Sequence, residues 1–126
     1  MKMNFVTIIV KDMEESLRFY TEIIRFNVVK SFSPQQGVNI AFLKGKDGGM
    51  VELIEYENKP DDSQRSTKSI VSIGISVDNL DKEIKNLEEK DIKIKQGPIE
   101  VPSGEKFIFI EDPNGVEIEL IEGFEI

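Results

Sequence analysis

Two glutamates stand in matching surroundings. Glu52 lies in Val51-Glu52-Leu53-Ile54-Glu55, and Glu119 lies in Ile118-Glu119-Leu120-Ile121-Glu122. A carboxylate among aliphatic strand residues is costly unless it meets water or a partner. Such a pair could do two kinds of chemistry. Two carboxylates and water can hold a hard ion such as Mg²⁺ or Mn²⁺ in an oxygen shell. If they converge, both cannot easily stay ionised, and the raised one becomes a general base near neutrality. Most other chemistry is closed by composition. The chain has no histidine and no cysteine, which removes imidazole ligands, the usual neutral-pH acid–base group, thiolates and disulfides. No phosphate-binding or dinucleotide fingerprint is present.

The glutamates recur because the elements around them recur. The offset that relates Glu52 to Glu119 also relates Val10 to Val77, Asp12 to Asn79, Phe42 to Phe109 and Gly48 to Gly115. One supersecondary unit is used twice. The first module spans residues 1–56, a linker 57–69, and the second module 70–126, together forming a single domain.

Each module reads strand, helix, then three strands. Phe5 to Val10 is rich in β-branched residues, and Asp12 is placed to cap a helix with Glu15 three positions on. Met13, Leu17, Tyr20 and Ile24 form a helical stripe. Phe26–Phe32, Val38–Lys44 and Met50–Tyr56 read as strands, with Asp47-Gly48-Gly49 as a hairpin turn. In the second module Ile70–Val77 is the strand, Asn79 the cap, and Leu80, Ile84 and Leu87 the stripe. Ile92 to Gln96 alternates as a half-exposed strand that Gly97-Pro98 ends, and Lys106–Glu111 and Val116–Glu122 follow. The linker is polar and includes Arg65, which reads as a solvated loop charge.

Alternation assigns the faces. Val6, Ile8 and Val10, with Ile73, Ile75 and Val77, should pack under the helices together with Val51, Leu53, Ile118 and Leu120. Phe5, Thr7 and Ile9, with their counterparts Ser72, Gly74 and Ser76, then share the other face with Glu52 and Glu119.

The length of 126 residues suits one domain with a real core. A net charge of −8 argues against nucleic acid or an anionic membrane as partner. No stretch approaches the roughly 20 apolar residues of a membrane span. A cytoplasmic protein is expected.

Val10-Lys11-Asp12-Met13-Glu14-Glu15-Ser16-Leu17-Arg18-Phe19-Tyr20, Ser76-Val77-Asp78-Asn79-Leu80, and Asp112-Pro113-Asn114-Gly115 followed by Ile118-Glu119-Leu120 together resemble the vicinal oxygen chelate superfamily. That group holds glyoxalase I, bleomycin-resistance proteins, extradiol dioxygenases and methylmalonyl-CoA epimerase. The resemblance covers the whole chain. It implies an α+β fold of two βαβββ modules, with a curved, cup-shaped sheet and the helices outside, often as a homodimer. In metal-dependent members, ligands come from the first and last strands of each module, at places that fall here on Phe5, Glu52, Ser72 and Glu119. Phe5 offers no lone pair and a neutral Ser72 hydroxyl is a poor ligand, so no metal and no other cofactor is expected. Arg25 stands where the family commonly has a glycine after the helix.

The functional expectation is a metal-independent small-molecule-binding protein resembling the bleomycin-resistance proteins. Phe5, Thr7, Phe42, Ser72 and Phe109 would line the ligand site, with aromatic faces for a planar ligand and acidic residues for a cationic one. The alternative is a glyoxalase-like lyase or isomerase in which Glu52 and Glu119 serve as acid–base or oxygen-ligand pair.

Overall fold

The computed structural model describes residues 2–58 and 71–125. The chain divides into two compact units, Met1–Arg65 and Ser66–Ile126. Most of the expected linker, with Arg65 and Ile70, lies outside the described residues.

The first unit runs β1 (Val6–Ile9), α1 (Met13–Arg18), a π-helical segment (Phe19–Ile23), β2 (Asn27–Gln35), β3 (Val38–Gly45) and β4 (Gly48–Tyr56). The second runs β5 (Ser72–Val77), α2 (Leu80–Glu89), β6 (Gln96–Glu100), β7 (Lys106–Glu111) and β8 (Glu117–Glu122). Each unit holds one four-stranded sheet, ordered β1-β4-β3-β2 and β5-β8-β7-β6. In both, the first strand pairs parallel with the last, and the remaining pairs are antiparallel. This is the α+β fold of two βαβββ modules.

The helices begin where short polar side chains can take unpaired backbone donors. Asp12 accepts from the Glu15 N–H at 3.0 Å, and Asn79 accepts from the Lys82 N–H at 3.1 Å. A second device recurs in both units. Glu55, near the end of β4, accepts from the Met13 N–H at 2.7 Å. Glu122, at the end of β8, accepts from the Leu80 N–H at 2.8 Å. Each last strand thus reaches across to hold the first turn of its own unit's helix.

The predicted stripe of the first helix needs correction. The buried face of that helix runs through Ser16, Tyr20 and Ile24, spaced by four, and includes Phe19, where a π segment begins. Met13 and Leu17 are only half-buried. The first hairpin turn is Lys46–Asp47, with Gly48 and Gly49 already inside β4.

The predicted strand from Ile92 to Gln96 is also displaced. The paired strand is Gln96–Glu100, and Gly97-Pro98 lies within it. Proline is tolerated there because β6 is the outer strand of its sheet, and the pairing skips between Gln96 and Ile99. Gly97 has a reason to be glycine: its φ is +103°, and a Cβ would sit 2.8 Å from the Phe107 carbonyl oxygen.

Strand alternation separates two faces in each unit. Ile8, Val10, Ala41, Leu43, Val51 and Leu53 are buried in the first, and Leu80, Leu87, Ile108, Ile110, Ile118 and Leu120 in the second. Strand neighbours of opposite parity belong to the other face, and they carry the polar and aromatic groups of interest.

Candidate functional site

In the first unit the register brings the expected residues together. Thr7 on β1 and Phe42 on β3 both stand opposite Glu52 on β4. The Thr7 hydroxyl donates to Glu52 Oε1 at 2.7 Å. Phe5, which precedes β1, sets its ring edge-on against Phe42, with centroids 5.2 Å apart and planes at 80°. Phe5 remains 42% exposed. The open face of this sheet therefore combines an aromatic surface with a carboxylate held by a hydroxyl.

Two neighbours were not singled out in the sequence. Phe32 on β2 lies nearly parallel to Phe42, at 8° with centroids 6.5 Å apart, and Lys30 places its ammonium 4.8 Å from the Phe32 ring centroid. The available signal was the spacing of Lys30 and Phe32, two apart and so on one face of a strand.

The second unit repeats the geometry with different content. Glu119 on β8 stands between Gly74 on β5 and Phe109 on β7. Ser72 is one pair further along the same face, opposite Glu117. Phe107 was also missed: it packs edge-on against Phe109, with centroids 5.7 Å apart and planes at 82°. Glu119 thus holds the place of Glu52 and Phe109 that of Phe42, whereas glycine replaces Thr7. The two glutamates belong to different units.

The donor set of each open face fits a metal poorly. In the first unit, the place expected to supply a ligand is a phenyl ring packed on another phenyl ring. The adjacent carboxylate already accepts a hydroxyl hydrogen bond. Among the described residues, no three Asp or Glu side chains gather in a way that could hold an ion.

A family model of the glyoxalase/bleomycin resistance protein/dioxygenase superfamily matches residues 2–120. The chain belongs to that superfamily. It is 26% identical over 121 residues to the uncharacterized protein YwkD of Bacillus subtilis, covering 94% of each. It is 30% identical over 125 residues to a probable chloroplastic lactoylglutathione lyase of Arabidopsis thaliana, covering 96% of this chain but only 35% of that protein. The fold is shared with a glyoxalase family protein of Bacillus cereus, at TM-score 0.80 and 18% identity, over 96% of this chain and 93% of that one. It is shared too with the trypanothione-dependent glyoxalase I of Leishmania major, at TM-score 0.75 and 25% identity, over 97% and 86%. Among the described residues, no helix is long and apolar enough to cross a membrane.

Proposed function

We propose that this chain is a metal-independent small-molecule-binding protein, taking its ligand on the open sheet faces. The observation that carries the reading is the Phe5–Phe42 ring pair beside Glu52. An apolar platform with a carboxylate at its edge suits an organic ligand bearing a positive charge. The net charge of −8 would draw such a ligand from solution. Both modules act as one domain in this reading, as a homodimer in the cytoplasm.

The test is calorimetric titration with bleomycin and other cationic aromatic compounds, in chelator-treated buffer. Saturable binding should weaken at least tenfold, about 1.4 kcal/mol, when Glu52→Gln and Glu119→Gln are combined. Stoichiometric tight binding of Mn²⁺, Ni²⁺ or Zn²⁺ that Glu52→Gln abolishes would overturn it.

A second reading is a glyoxalase-like lyase or isomerase, favoured by the two relatives described as probable lactoylglutathione lyases. Here Glu52 and Glu119 would move protons beside a carbonyl. Turnover to lactoylglutathione that either glutamine variant removes would decide for it.

A further inference from the structure

The two open faces differ in how far they satisfy themselves. In the first unit, groups of the chain itself already contact the carboxylate and one ring of the aromatic cluster. The Thr7 hydroxyl occupies Glu52, and the Lys30 ammonium lies over the aromatic cluster at Phe32. In the second unit neither partner is present. The position that pairs with Glu119 is Gly74, and a Cβ built there meets nothing within 4 Å. Among the described residues, no hydrogen bond or ion pair reaches the Glu119 side chain, and no cation lies over Phe107 or Phe109.

From this contrast between repeats, and resting on the small-molecule reading above, we infer that the second unit holds the ligand's cationic group. A compact ammonium reaches Glu119 across the open position at Gly74, donates to it where Thr7 donates to Glu52, and lies against the Phe107–Phe109 pair. Gly74 is then the specificity-determining residue, because it leaves the Glu119 side chain open to a group from outside. A threonine would supply Glu119 with an internal donor. Charge and geometry act together. A carboxylate attracts an ammonium directly, and an aromatic face adds to that attraction the more the cation is desolvated. A neutral ligand of the same shape gains neither.

The experiment uses benzylammonium as probe, with benzyl alcohol as its neutral counterpart, followed by backbone amide shifts of the intact chain. Benzylammonium should shift the amides of Gly74, Phe109 and Glu119 saturably, with at least tenfold higher affinity than benzyl alcohol. Gly74→Thr should weaken it at least tenfold. The variant should fold, since Gly74 sits in a strand without positive φ and threonine is at home in strands. Glu119→Gln should weaken it similarly, while Glu88→Gln, on the exposed side of α2, should leave it within twofold. Equal affinity for the two probes, full affinity in Gly74→Thr, or no saturable shift at all would overturn the inference. Binding that maps to Thr7, Phe42 and Glu52 would also overturn it while leaving the broader binding function standing.

Discussion

The glutamate that ties the last strand to the first helical turn can be tested quantitatively. Glu55 Oε2 accepts the Met13 N–H at 2.7 Å, and its Oε1 accepts from the Asn39 side-chain amide at 3.0 Å. The Met13 N–H is the first of the helix and has no partner within it. A hydrogen bond to a charged acceptor contributes about 1.5–3 kcal/mol, and a negative charge at a helix start about 0.3–1 kcal/mol. Glu55 is half-buried, which favours the lower end. Glu55→Ala should therefore cost about 2 kcal/mol, and Glu55→Gln, which keeps an acceptor but not the charge, about 1 kcal/mol. With a urea slope of about 1–3 kcal/mol per molar, the alanine variant should lower the unfolding midpoint by about 1 M.

A double-mutant cycle isolates the bond. Met13→Pro removes the donor at the one helical position where proline is tolerated, and Asp12 already has the extended conformation that a following proline requires, with φ −146° and ψ 115°. In the proline background, Glu55→Ala should cost at least 1 kcal/mol less than in the parent. Equal costs in the two backgrounds would refute the tether, leaving the Asn39 contact as the source of the effect.

Other outcomes follow from single positions. Arg25 adopts φ +65°, a left-handed conformation that costs a side-chain-bearing residue about 1 kcal/mol; Arg25→Gly should be more stable than Arg25→Ala by about that amount in urea unfolding, and the reverse order would count against backbone strain there. The Ser103 hydroxyl, and secondarily the backbone N–H of Glu105 itself, hold the Glu105 carboxyl below its ordinary range. A depressed folded value means the contribution to stability is present above the unfolded pKa and fades as pH falls through the folded one. Ser103→Ala should raise the Glu105 value towards the ordinary range in an NMR titration, and an unchanged titration would show that the hydroxyl is not the cause.

Local pattern carried much of this protein. The recurrence of Val51–Glu55 at Ile118–Glu122 marked two copies of one unit, and strand parity put Glu52 and Glu119 opposite in facing to the buried Leu53 and Leu120. The N-caps Asp12 and Asn79 were legible because capping depends on residues three apart. Strand β6 was misplaced because alternation in Ile92–Gln96 is a local signal, whereas pairing depends on where β7 lies. The sequence showed Glu55 and Glu122 three residues after Glu52 and Glu119, and so on the other face by parity, but not which groups they meet there.

Those partners came from tertiary structure. An odd spacing turns Glu55 and Glu122 towards the helices, where backbone donors await them, and leaves Glu52 and Glu119 on the open face. Which residue meets each of the latter is set by parallel register between strands far apart in the chain. Periodicity can assign a face, but only folding can set Thr7 beside one carboxylate and Gly74 beside the other.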